Sequence, residues 1–181
     1  MSVPYTPEYV PTGAEQAIFH TNKGDIKVQL AGKDAPIHVG NFVELADKGY
    51  YDGLKFHRYV SGFVVQGGCP NSRDYSSEEI ARESFDFKRG TPGTGGPGHS
   101  IQGEWRTNPN NKHNDGTLAM ARSQAPDSAG SQFYFCLGQQ SFLDSNYTVF
   151  GDPVDEESLK VIHALEKGDV IESVEITGKA E

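Results

Sequence analysis

Glycine and proline break this chain into short pieces, and that limits its folding more than any other feature. There are 21 Gly and 10 Pro among 181 residues. Both interrupt regular helix, glycine through its backbone freedom and proline through its missing N–H. Turns must be many and long helices few, so the chain leans towards β structure. Enough apolar material remains to fold, since 35% of residues are hydrophobic and 10% aromatic, too many for a disordered chain. Its length suits a single domain that buries roughly 70% of the surface exposed when unfolded.

The pieces between the breaks read mostly as strands. Ala17 to Leu30 is a hairpin turning at Asn22-Lys23-Gly24-Asp25, with Ile26, Val28 and Leu30 on one face. Asp34 can cap a helix that has Pro36 in its first turn, carries Val39, Phe42, Val43 and Ala46 as an apolar stripe and stops at Gly49. Strands are expected at Leu54 to Val60, Phe63 to Gln66, Thr117 to Ala121, Gln132 to Leu137, Tyr147 to Phe150 and Val170 to Ile176. A second helix runs from about Asp155 to Lys167, and residues 69 to 116 read as long loop. The fold class expected is mainly β: a closed eight-stranded antiparallel β-barrel capped by two α-helices.

Charge and cysteine content exclude several functions. A formal charge of −9 repels phosphate backbones and anionic lipid, so neither nucleic acid nor a membrane is an expected partner. Cys69 and Cys136 are too few for a disulfide framework or a zinc site and suit a reducing, cytoplasmic setting. His20, His38, His57, His99, His113 and His163 are scattered without ligand spacing, so no metal is expected. Residues 1–14 carry Pro4, Pro7 and Pro11 but no basic or apolar run, and are read as a flexible tail.

Two segments carry unusual chemistry. In strand alternation Arg58 points the same way as Leu54, Phe56 and Val60. A cation on an apolar face either lies at a sheet rim with its head in water or is aimed into a pocket to meet a carbonyl or amide. In Gln132-Phe133-Tyr134-Phe135-Cys136-Leu137 the residues Phe133, Phe135 and Leu137 can fill a core, which leaves Gln132 and Tyr134 on the opposite face.

Taken in order, Phe56-His57-Arg58, Gly62-Phe63, Gln66-Gly67-Gly68, Gly93-Thr94-Gly95-Gly96, Met120-Ala121-Arg122, Gly130-Ser131-Gln132-Phe133, Phe142-Leu143-Asp144 and Val149-Phe150-Gly151 resemble the cyclophilins, peptidyl-prolyl cis-trans isomerases. The likeness runs from about Ala17 to Ile176 and is closest to prokaryotic members. It implies an isomerase domain over residues 15–178 that works without a cofactor, with proline-containing peptides and unfolded proteins as partners and a monomer as the working form. Arg58 would be the catalytic arginine, oriented by Gln66. Phe63, Val64, Tyr134, Leu143 and Tyr147 would line the proline pocket. Gln132, Ala121 and Arg122 would meet the substrate backbone, and the loop of Gly93 to Gly96 a neighbouring subsite.

Where this chain departs from the family pattern, it does so informatively. Val64 replaces a frequent methionine, Tyr147 a histidine and Arg122 an asparagine of eukaryotic members. Phe142 stands where strongly cyclosporin-sensitive members have tryptophan, which implies weak binding of that drug. Residues 71–91 look like an insertion. Its Ser76-Ser77-Glu78-Glu79-Ile80 opening can cap a short helix, with Phe85 and Phe87 as anchors. A hydrolase is disfavoured because Ser100 lacks a glycine-flanked elbow. A proline-peptide binder without turnover is the remaining alternative, and the presence of both Arg58 and Gln66 argues against it.

Overall fold

In the computed structural model, which describes residues 3–179, the chain forms one eight-stranded antiparallel sheet with the order β3-β4-β6-β5-β7-β2-β1-β8. The first hairpin is β1 (Gln16–Thr21) and β2 (Gly24–Leu30), joined where expected. Helix α1 (Pro36–Asp47) follows, then β3 (Arg58–Val60) and β4 (Val64–Gly67). A short helix α2 (Ser77–Ala81) lies in the inserted segment. Strands β5 (Leu118–Met120), β6 (Phe133–Cys136) and β7 (Val149–Pro153), helix α3 (Glu156–Ala164) and β8 (Ile171–Thr177) complete the domain. Helix α1 packs against β8, and α3 against β2 and β7.

The sheet curls around an aromatic core. Phe19, Phe42, Tyr51, Phe56, Phe133, Phe135 and Phe150 are all fully buried there. Their rings meet edge-on or tilted, as for Phe19 and Phe135 at 5.2 Å between centroids, the arrangement that ring quadrupoles favour.

A closed barrel is only partly what the structure holds. The sheet's edge strands β3 and β8 do not pair with each other. The chain just before β3 bonds to β8 and its approach instead, through Ile171 N–H to Leu54 O at 2.8 Å and Phe56 N–H to Asp169 O at 2.9 Å. This also corrects the reading of Leu54 to Val60 as one strand. Leu54 and Phe56 face the core, while β3 begins only at Arg58, which is exposed. The alternation resets at that junction, so Arg58 does not share a face with Phe56.

Three other expectations change. Asp34 does not cap α1: the N-cap is Ala35, with no side-chain bond. The free N–H groups of Ile37 and His38 donate instead to the Glu104 carboxylate, at 3.0 and 2.7 Å, where the helix dipole favours an anion. Described residues of the N-terminal segment are held, not loose. Tyr5 Oη donates to Glu44 at 2.7 Å, and the Glu8 and Tyr9 N–H groups bond the same carboxylate at 2.8 and 2.9 Å. In the insertion, Ser76 and Glu79 do form a capping box. The anchors, however, are buried Tyr75 and Ile80, with Phe85 packed edge-on against Tyr75, while Phe87 is 91% exposed.

Candidate active site

Strand register builds the site. Arg58 pairs with Gln66 across β3 and β4, Gln66 with Tyr134 across β4 and β6, and Tyr134 with Ala119 across β6 and β5. These side chains therefore form one row across four strands, on the face turned away from the core. Around the row lies a second apolar cluster of Val64, Ala119, Tyr134, Cys136, Leu143 and Val149, with Phe63, Ala121 and Tyr147 packed on it. Together they shape a cavity of about 580 Å³ lined by Phe63, Val64, Tyr134, Leu143 and Tyr147, with Arg58 and Gln66 also in its wall.

A chain of hydrogen bonds fixes the polar edge. Arg58 Nη1 donates to Gln66 Oε1 at 3.4 Å, and Gln66 Nε2 donates to Gln132 Oε1 at 3.1 Å. Gln132 Nε2 then donates to the carbonyls of Gly93 and Gly95, both at 2.9 Å. The glycine loop is held from below as well, because the Gly93 and Gly95 N–H groups point at Cys69 Sγ, at 3.2 and 3.3 Å. Gly93 has φ +100, with ordinary contact distances of 3.4 and 3.5 Å from a β-carbon there to His57, so the loop needs glycine at this position for its backbone conformation. An adjoining pocket of about 360 Å³ runs along this loop and includes Gln132.

Two histidines at the cavity, His57 in its wall and His113 behind Tyr134, have their charged forms disfavoured. Burial, with Arg58 close by as the lesser cause, pushes the His57 imidazole down to about 4, and its Nδ1 has no partner. Burial also holds His113 below the usual histidine range, against the opposing pull of Asp144. A neutral His113 ring that donates from Nδ1 to Asp144 Oδ1 at 2.8 Å accepts at Nε2 from the Tyr134 hydroxyl, also at 2.8 Å. That bond satisfies the one polar atom of a buried ring and leaves its face as pocket wall.

The structure brings together nearly every residue singled out from sequence. Arg58, Gln66, Phe63, Val64, Ala121, Arg122, Tyr134, Leu143 and Tyr147 line the main cavity, and Gln132 the adjoining one. Phe142 lies outside both; it is 66% exposed and stacked on Phe63 at 5.7 Å. The Arg122 guanidinium is turned to structural work. It donates to the carbonyls of Asn146, Ser123 and Gln124 and lies 4.9 Å from the Trp105 and Tyr147 ring centres. His57, Glu83 and Pro92, to which the sequence assigned no site role, and Phe85, expected only as an anchor of the insertion, also line the cavity. His57 had a signal in its place beside Arg58; Glu83 had none. Among the described residues no group of three or more His, Cys, Asp or Glu is placed to hold a metal ion.

The fold of this chain is one seen in solved proteins. The structure of a cyclophilin-type peptidyl-prolyl cis-trans isomerase of Cryptosporidium parvum superposes with a TM-score of 0.73 at 26% identity, covering 92% of this chain and 99% of that one. The same protein crystallised in the presence of the dipeptide Ala-Pro gives 0.71 at 27% identity, with 91% and 99% covered. A peptidyl-prolyl cis-trans isomerase of Helicobacter pylori is 46% identical over 158 residues, 87% of this chain and 84% of that one. One from Synechococcus elongatus is 45% identical over 165 residues, 91% and 98%. The family model for cyclophilin type peptidyl-prolyl cis-trans isomerases matches residues 17–180. The chain belongs to that family and is a peptidyl-prolyl cis-trans isomerase.

Proposed function

We propose that Arg58 is the catalytic residue, acting on an X-Pro bond whose proline ring is seated against Phe63, Val64, Tyr134, Leu143 and Tyr147. The observation that carries this is the position of Arg58, held by Gln66 and 5.9 Å from the centre of the Phe63 ring, in the wall of the cavity that the apolar side chains of Phe63, Val64, Leu143 and Tyr147 also line. Rotation about a peptide bond faces a barrier near ~18–20 kcal/mol, and about an X-Pro bond it takes tens to hundreds of seconds unaided. No covalent bond breaks. Twisting removes amide resonance, leaving the proline nitrogen pyramidal and basic, so a donor aimed there binds the twisted state better than either planar one. Arg58 is permanently charged and has donors to spare beyond the one given to Gln66. A charged hydrogen bond plus positioning can supply the ~4–7 kcal/mol needed for a 10³- to 10⁵-fold acceleration.

Gln66 orients the arginine, and Gln132 with the backbone at Ala121 and Arg122 holds the peptide, the Arg122 side chain being engaged elsewhere. The natural substrates under this reading are proline-containing stretches of unfolded or partly folded proteins, and the protein assists folding as a cytoplasmic monomer. Buried, unpaired Cys69 and Cys136 suit that reducing setting. A refolding assay on a protein limited by X-Pro isomerisation, together with exchange measurements on a short X-Pro peptide, tests the proposal. Accelerated exchange supports it, and tight peptide binding without turnover contradicts it.

A further inference from the structure

The arm formed by residues 71–91 adds no strand to the sheet, yet it completes the wall of the Arg58 cavity. Glu83 and Phe85, with Pro92 just beyond the arm, line that cavity beside His57 and Arg58. None of the arm lines the glycine-loop pocket, so its influence falls on the cavity where the X-Pro bond turns.

The arm is built to hold its side chains in place. Glu79 closes the capping box of α2 and also pairs with Arg89 at 2.6 Å. Arg89 in turn lies 4.1 Å from the centre of the Tyr75 ring, and the Tyr75 hydroxyl bonds to Asp86 and Gly90 carbonyls at 2.8 and 2.9 Å. Arg73 donates to the Tyr50 carbonyl and Lys55 to that of Arg73, which ties the arm to the rest of the domain.

Glu83 is where backbone and side chain disagree. Helix α2 ends with Ser84 N–H on Glu79 O at 2.9 Å and Glu83 N–H on Ile80 O at 3.1 Å. Glu83 takes φ +54, and among the described residues it is the only non-glycine with positive φ. That helix-closing position ordinarily belongs to glycine. Here it carries the only carboxylate in the cavity wall, and strained backbone of this kind gathers at functional sites. Phe85 and Pro92 supply apolar surface next to it. A substrate side chain with a long apolar stem and a cationic head matches both parts: stem on the rings, head on the carboxylate and the Phe85 face. An aromatic side chain would desolvate the carboxylate without pairing it, and an acidic one would be repelled. Lys167 Nζ already lies 3.0 Å from Glu83 Oε1 in a pair whose carboxylate partner is mostly exposed, a contact weak enough to exchange.

Resting on the isomerase reading of the cavity, we propose that Glu83 and Phe85 form a subsite selecting substrates with lysine or arginine beside the X-Pro bond. NMR exchange measurements need no auxiliary protease and give kcat/KM for matched X-Pro peptides carrying Lys, Arg, Leu or Glu at each flanking position. At the responsive position the Lys and Arg peptides should exceed the Glu peptide about two- to fivefold, the range of a partly exposed ion pair. Glu83→Gln should bring that ratio towards one, Lys167→Ala should raise it, and Phe87→Ala, on the same arm but outside the cavity, should leave it alone. An unchanged ratio in Glu83→Gln, or Leu peptides outranking Lys and Arg, would overturn the subsite. Full turnover of all peptides by Arg58→Ala would overturn the underlying reading of the cavity instead.

Discussion

The two faces of β4 and β6 share one backbone and do different work. Phe133, Phe135 and Val65 point into the ring-filled core, while Tyr134, Val64 and Gln66 point outward to the cavity. The same backbone ladder holds both sets. On the inner face each side chain is enclosed on all sides, so lost volume becomes a void and is felt as stability. On the outer face a second, smaller buried cluster borders open space, and at that opening what matters is the position of a few donors relative to apolar side chains. Rigidity generated on one side is thus delivered to the other, which suits catalysis by positioning.

If that division is real, substitutions should sort by face. Phe133→Ala should be the largest loss, about 3–5 kcal/mol from burial and cavity terms together, read as a fall in urea midpoint. A loss below about 1 kcal/mol would mean that the inner face is not the structural one.

His57 tests the boundary between the faces, being buried yet part of the cavity wall. Its folded value of about 4 lies below the unfolded one near 6.5. Between these values the unfolded chain binds a proton that the folded one refuses, so stability falls as pH drops from about 6.5 to 4 and the loss stops below that. The contribution amounts to about 3 kcal/mol at most. His113 adds in the same direction, whereas carboxylate bonds raise His20 above the usual range and oppose it. His57→Gln should flatten the unfolding-versus-pH curve in that window, and an unaltered slope would remove His57 from the account.

Phe142 probes the outer rim. It preserves an apolar surface but offers no donor, so a cyclosporin carbonyl placed there stays unpaired at about 1–3 kcal/mol. Phe142→Trp should tighten inhibition about five- to more than a hundredfold. Equal inhibition of both forms would show that the missing donor is not what limits binding.

Much of this contrast was legible in the sequence, because it is a matter of period two. Alternation alone separated Phe133 and Phe135 from Gln132 and Tyr134, and ordered short motifs located Arg58, Gln66 and the glycine loop. What stayed hidden depended on distant partners. The anion at the head of α1 is Glu104, 66 residues beyond His38, so nearby Asp34 looked sufficient. The three prolines before residue 14 suggested looseness, because nothing local shows that Tyr5 and Tyr9 meet Glu44. Arg58 was placed on the face of Phe56 because a break in a strand leaves no mark in alternation. The insertion shows the same limit: its capping box was readable, but that Tyr75 anchors it and that Glu83 reaches the cavity depends on how the arm folds back.

Arg58 is read as carrying chemistry without carrying the fold, and Arg58→Ala separates the two when turnover and stability are measured on the same sample. Arg58 is exposed, so the urea midpoint should correspond to a change within about 0.5 kcal/mol. Its kcat/KM on an X-Pro peptide should fall at least tenfold, about 1.4 kcal/mol or more of lost transition-state binding. Turnover close to wild type, or a loss of activity that merely follows a loss of stability, would contradict the account.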